Sequence, residues 1–250
     1  MKTFMKKGVL RSLIIGVTLA LALGLLGASS AQRKTGSKTK TAKPQKADCG
    51  NTDVDSRRAV TNLVAGNGRW RGIMTQRQWS RERQLTALCQ KPFAVVVACM
   101  DSRVPPELIF DQGLGQLFVI RVAGPVLDKD QLGSLEYALA VKKVKLVVVL
   151  GHTDCGAVKG AAEEGPGGPY LPDLLRKIDP AVNYVKLHYT DREPIEPDDA
   201  TNLTRVSMAN ARNVADLIPT FNQSGVLVTW GLYDTANGAV ALAPREPWLR

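Results

Sequence analysis

KLVVVLGHTDCG, residues 145–156, opens as an unbroken aliphatic run and ends on a histidine, an aspartate and a cysteine between two glycines. A strand with one wet face alternates apolar and polar residues, whereas a strand buried on both faces reads as a continuous run. Three other stretches share the pattern: FAVVVA (93–98), LFVIRV (117–122) and GVLVTWGLYD (225–234). The residues between them suit crossover helices. LGSLEYALAVKKV (132–144) is one, and TNLTRVSMANARNVADLI (201–218) is another, with Thr201 or Asn202 as its cap. YDTANGAVALAP (233–244) reads as a turn at Asn237-Gly238 into a short antiparallel strand. The expected fold is therefore α/β: four parallel strands plus a C-terminal antiparallel edge strand, flanked by helices. No internal repeat is visible.

Upstream, DSRRAVTNLVAGNGRWR (55–71) spaces Val60, Leu63 and Val64 as a helix face that Gly66 and Gly68 should end. SRERQLTALCQ (80–90) is a second helical stretch, with Leu85, Leu88 and Cys89 on one side. Farther upstream the composition changes. Residues 1–31 place Lys2, Lys6, Lys7 and Arg11 before the apolar run LIIGVTLALALGLLGA (13–28) and the small residues of SSAQ. That is the pattern of an export signal cleaved after Ala31, with an uncleaved anchor as the alternative. No cysteine follows the run, and no Arg-Arg pair precedes it. Residues 32–46, QRKTGSKTKTAKPQK, lack large apolar side chains and read as a disordered basic linker. The ten basic residues of 1–46 leave 23 against 23 acids in the remainder, so the net +10 belongs to the extension. A neutral body argues against nucleic acid as a partner.

In parallel sheets, ligands bind beyond the C-terminal strand ends. Cys99 ends one buried strand, in VVVACMDSR (95–103), while His152 and Cys155 follow another. Thiolate and imidazole are preferred zinc ligands, and Gly151 and Gly156 let the backbone turn between them. Asp101, two residues past Cys99, either supplies a fourth ligand or guards that position. No Cys-x-x-Cys occurs to suggest a redox pair.

CMDSR and GHTDCG together resemble the two signature motifs of the β-class carbonic anhydrases. FDQGLGQLFVIRVAG (110–124), GSLEYALAVKKVKLVVVLGH (133–152) and GLYDTANGAVAL (231–242) resemble segments of that family in the same order. The similarity runs over about residues 55–245, thinner between Glu163 and Asn202, where EEGPGGPYLPD and YTDREPIEPDD look like irregular surface loops. The resemblance implies a zinc catalytic domain over residues 47–250, with one Zn2+ per chain held by Cys99, His152 and Cys155. Asp101 and Arg103 would form the family's dyad, and Gln90, Phe118 and Tyr137 would line the substrate pocket, in part across a dimer interface. The implied reaction is reversible hydration of carbon dioxide to bicarbonate and a proton by zinc-bound hydroxide. In this scheme the Arg103 fork holds Asp101 away from the metal. The implied assembly is a homodimer or homotetramer, in the periplasm or secreted, without a stable membrane span after cleavage. Hydrolysis of carbonyl sulfide or carbon disulfide, a silent zinc-binding domain and a thiol redox protein are the competing readings.

One departure stands out. RVAGP (121–125) stands where many relatives read Arg-x-Ala-Gly-Asn or Ala-Asn, and Pro125 removes a backbone donor beside the pocket. Cys49 and Cys89 remain after the metal takes its pair. In an oxidising compartment they either pair, or Cys89 packs on its helix and Cys49 stays a thiol.

Overall fold

Valine and leucine fill β1 (Ala94–Ala98) and β3 (Leu146–His152), and every residue of both strands is buried. They lie at the centre of a five-stranded sheet of order β2-β1-β3-β4-β5, with β2 at Leu117–Arg121, β4 at Leu227–Tyr233 and β5 at Val240–Leu242. The first four strands are parallel and β5 is antiparallel to β4, as the aliphatic runs imply. The structure is a computed structural model that describes residues 54–163, 165 and 167–243. The apolar run 13–28, the basic linker and Cys49 therefore lie outside the described residues.

Alternation along β1 and β3 sends side chains to two different cores. Val96, Ala98, Val148 and Leu150 meet Ala59 and Leu63 of α1 (Ser56–Trp70) and Ile109 of α3 (Pro106–Ile109). Val95, Val97, Val147 and Val149 meet Leu135 of α4 (Lys129–Glu136) and Ala211 and Val214 of α8 (Ala200–Asp216). Each fully buried valine contributes roughly 1.5–3 kcal/mol by leaving water. A third cluster, at the C-terminal strand ends, joins Cys99 and Cys155 to Val158 of α5 (Gly156–Ala162), Val182 of α7 (Asp179–Tyr189) and Val206 of α8.

Several expectations for the helices change. α1 continues through Gly66 and Gly68 to Trp70, and its buried face is Ala59, Leu63, Gly66 and Asn67, with Val64 exposed. Gly66 sits where α1 crosses the Phe110 carbonyl, so close that a Cβ would overlap it at 1.7 Å. It is a contact point and not a stop signal. α2 (Trp79–Thr86) buries none of its residues, and Leu85 and Leu88 face outward. Cys89, just beyond it, is half-buried and disulfide-bonded, while its expected partner Cys49 is not among the described residues. α8 is capped by Asp199, whose carboxylate accepts from the Asn202 amide, and not by Thr201 or Asn202. The crossover after β2 leaves α4 through a π-helical turn, Tyr137–Val141. α6 (Leu171–Leu175) begins inside EEGPGGPYLPD (163–173), where an irregular loop is expected, and the eleven-residue α7, which no sequence pattern marks, runs up to Tyr189 at the start of YTDREPIEPDD.

Asp111 ties the segment beyond α1 to the sheet. It has φ of +45°, in the left-handed region that aspartate and asparagine enter most readily, and its side chain is fully buried. The carboxylate accepts from Arg69 Nε, the Thr75 hydroxyl at 2.6 Å and the Thr75 amide at 3.2 Å, and faces Arg77 at 3.4 Å. Burial opposes its charge, but the Thr75 and Arg69 hydrogen bonds outweigh that and hold the carboxyl below its ordinary range. A depressed carboxyl stabilises fully above the ordinary carboxylate pKa and loses that stabilisation as acid protonates it. Asp111→Asn keeps shape and backbone preference but removes the charge that faces Arg69 and Arg77, of which Arg77 keeps its ion pair with Glu82 at 3.1 Å. The expected cost is about 3 kcal/mol, the low end for breaking a buried pair because Arg69 is 42% exposed. Urea midpoints of the two proteins at pH 7 read this difference, and it should shrink below about pH 4.

Candidate metal centre

Cys99 and His152 sit side by side because β1 and β3 are adjacent, in register from Val95↔Val147 to Ala98↔Leu150. A turn through Thr153 and Asp154 then brings Cys155 back beside them as the N-cap of α5. The two sulfurs are 4.0 Å apart, and the ligand atoms of Cys99, His152 and Cys155 all lie within 4.8 Å of one another, buried. Two strand ends, with Cys99 and Cys155 56 residues apart in sequence, thus converge on a space of atomic size.

The local bonding prepares each group for a cation. His152 Nδ1 lies 2.8 Å from the Thr153 carbonyl, which selects the tautomer with its proton on Nδ1 and a lone pair on Nε2. Nε2 is buried without a hydrogen-bond partner, a costly state for a polar atom unless something fills the gap. Contact with Cys155 pulls the Cys99 thiol down to about 4, against the opposing effect of burial, while the same contact and burial push Cys155 up. The pair by itself shares one negative charge, and a dication is what lets both sulfurs ionise. The Gly124 amide points at Cys99 Sγ at 3.4 Å, and the Val158 and Ala157 amides at the start of α5 favour the Cys155 thiolate. Two soft sulfurs and one imidazole, dry and preformed, suit zinc.

Asp101 and Arg103 stand beside this cluster as a locked pair. Arg103 donates from Nε to Asp101 Oδ1 at 3.0 Å and from a terminal nitrogen to Oδ2 at 2.8 Å, and its backbone amide adds a third bond at 2.9 Å. This fork holds the Asp101 carboxyl at about 2, so it is an ionised acceptor at any ordinary pH. Arg121, at the end of β2, fixes the loop from the other side by donating to the Cys99 carbonyl at 3.0 Å and to the Asp101 carbonyl.

The remaining pocket residues are arranged differently. Phe118 and Tyr137 meet edge to face, centroids 6.3 Å apart, and line a cleft of about 500 Å³ with Val95 and Ile120. None of the three metal-ligand candidates lines that cleft. Gln90 is exposed beyond α2. Within one chain these three residues are not gathered at the metal cluster.

Pro125 is buried, and the preceding Gly124 is held by the buried Asn210, whose amide donates to the Gly124 carbonyl at 2.7 Å. Gly124 has φ of +67°, and a Cβ there would strike Ile178 at 2.5 Å. Ser207 clamps His152 by accepting from its amide and donating to its carbonyl, at 3.0 and 2.9 Å. Asn210 and Ser207 lie 86 and 55 residues from their partners, and no local pattern marks them. Asp154 was visible inside HTDC, where its signal was its place between two ligands.

A family model described as carbonic anhydrase matches residues 94–240. Carbonic anhydrase 2 of Mycobacterium tuberculosis is 53% identical over 98 residues, which cover 37% of this chain and 47% of that protein. A carbonic anhydrase of Mycolicibacterium smegmatis is 52% identical over the same length and shares. The chain thus spans about half the length of the curated relatives it matches. Among solved structures, a tetrameric β-carbonic anhydrase of Sordaria macrospora superposes with a TM-score of 0.58 and 24% identity, over 74% of this chain and 94% of that one. CcaA, a β-carbonic anhydrase, superposes with a TM-score of 0.57 and 23% identity over the same shares. The family match runs from the first residue of β1 to the first of β5 and takes in all three converging ligands, so the chain belongs to the carbonic anhydrase family and has its β-class fold.

Proposed function

We propose that the protein is a zinc-dependent carbonic anhydrase that interconverts carbon dioxide and water with bicarbonate and a proton. Cys99, His152 and Cys155 would hold the metal. Bound zinc supplies a Lewis acid that makes water nucleophilic near neutral pH. The chain's own residues do the rest. Asp101, kept ionised and aimed by Arg103, accepts a hydrogen bond from the attacking water and orients its lone pair toward the substrate. The apolar third core beneath the cluster excludes bulk water from the sulfurs. The observation that carries this reading is the unpartnered Nε2 of His152 between two sulfurs, beside a carboxylate already committed to an arginine.

A homodimer, or a tetramer built from it, belongs to the same proposal. Ile73, Trp79, Leu85, Leu88 and Leu114 are exposed in and around α2, large apolar side chains of the kind that a second chain covers. β2 ends the sheet beside the Phe118–Tyr137 cleft, with no further strand beyond it among the described residues. A second chain packed there would bring Gln90, Phe118 and Tyr137 toward a metal cluster from outside. Export is proposed from the first 31 residues, with passage to the periplasm or secretion, and a disulfide at Cys89 suits an oxidising compartment. Among the described residues no helix is long and apolar enough to cross a membrane.

Stopped-flow hydration of carbon dioxide by the zinc-loaded full chain, on size-separated fractions, tests the proposal. Zinc-dependent turnover concentrated in the dimeric or larger fraction is the expected result. Full metal loading without hydration, but with hydrolysis of carbonyl sulfide or carbon disulfide, would transfer the same site to the sulfur analogues. Inactivity on all three would leave a silent zinc-binding domain.

A further inference from the structure

Arg103 is gripped by a second aspartate that the Asp101–Arg103 pair does not require. Its Nη1 donates to Asp154 Oδ2 at 2.8 Å, and its Nη2 donates to the Asp154 carbonyl at 2.9 Å as well as to Asp101. A guanidinium has five N–H donors, and four of them are thereby assigned. Asp154 has φ of +55°, an unusual state for a residue with a side chain, in the tight turn between His152 and Cys155. That turn aims its carbonyl and its carboxylate at the same arginine.

The arrangement matters because an ion pair can move as a unit. Asp101 and Arg103 are two residues apart on one loop, so their mutual bonds do not fix where the pair sits relative to the ligands. Arg121 holds the backbone of that loop from the β2 side, and the bonds to Asp154 hold the guanidinium itself from the other strand end, because Asp154 is bonded directly to Cys155 in the chain. We propose that Asp154 is a positioning residue: it anchors Arg103 to the His152–Cys155 turn and so keeps Asp101 from taking a coordination position on the metal. This rests on the reading of Cys99, His152 and Cys155 as the metal ligands. The Asp154 side chain is 76% exposed and that of Arg103 48%, so the anchor is worth a modest factor, not an absolute lock. A modest factor suffices to bias a two-state choice.

The test uses full-length protein loaded with cobalt, whose visible absorption reports coordination, titrated with azide as an anionic ligand for an open position. Asp154→Asn keeps the backbone preference and removes the charge, and Asp154→Gly removes the side chain at a φ that glycine accepts freely. Both should bind azide roughly three- to fivefold more weakly than wild type, glycine the more so, because a released Asp101 competes for the metal. In an Asp101→Asn background the same substitutions should change azide affinity not at all. Unchanged affinity in both single variants overturns the proposal. So does a loss that persists in the Asp101→Asn background, or failure of both variants to retain cobalt, since either would mean that Asp154 acts on the ligand turn itself. A wild-type protein that takes up cobalt and binds azide without hydrating carbon dioxide would overturn the proposed function alone, and the azide comparison would still decide the role of Asp154.

Discussion

Cys155→Ser should weaken metal binding by more than about 100-fold, beyond what loss of a partner behind a ligand costs, and abolish metal-dependent turnover with it. Serine is close in size, so the N-cap of α5 and the packing on Val158 survive. What disappears is an ionisable sulfur. A hydroxyl does not surrender its proton to zinc as a thiol does, and it is a hard donor where the site offers soft ones. Two ligands would remain, Cys99 and His152, on adjacent strands. Metal analysis after dialysis against a weak chelator, with circular dichroism to show an intact sheet, reads the outcome. A Cys155→Ser protein that keeps stoichiometric zinc and full activity would remove Cys155 from the site.

Arg103→Ala should keep the metal and lose at least about 100-fold in turnover, the lower end of what a positioned acid–base group contributes. Arg103 bonds to Asp101 and Asp154 and not to the side chains of the three ligand candidates, so metal content should match the wild type. Asp101 loses the two side-chain bonds that aim its carboxylate, and the carboxyl rises from about 2 toward its ordinary value. It stays ionised near neutrality all the same, because the ordinary aspartate value is about 4. The loss is therefore one of placement and not of protonation, because the freed carboxylate is misaimed and competes for the metal, and the ratio of wild-type to variant kcat/KM should not rise between about pH 6 and pH 9. A ratio that climbs steeply within that window, or undiminished turnover, would take the pair out of the mechanism.

The sheet was legible because its signal is local. Continuous valine-rich runs at 93–98 and 145–151 leave a strand no polar face, and only a sheet covered on both sides satisfies them; β1 and β3 are buried throughout, whereas β2, at the edge, is half-buried. Cys99, His152 and Cys155 were legible for a related reason, since residues at the ends of neighbouring parallel strands must lie together, and their ligand atoms do. Helix ends and faces were less legible. Gly66 carries a helix-stop signal in isolation, yet α1 runs through it because the Phe110 carbonyl packs where a side chain would stand. α7 went unread because its apolar residues, Ala181, Val182 and Val185, face a core assembled from α5, α6 and α8, which no window of sequence contains.

What the sequence determined by itself was the order of the five strands, the three ligand candidates at their ends and the presence of an aspartate and an arginine beside them. Only the tertiary structure decided how those groups are held. Asn210 on Gly124, Ser207 on His152, Arg121 on the Cys99 loop and Asp154 on Arg103 each join residues 20 or more positions apart. Such bonds carry no periodicity and need no particular neighbours in the chain. They exist only once β1, β2 and β3 are side by side and α8 lies across their ends, because hydrogen bonds act over about 3 Å while the chain between the partners is free to run anywhere.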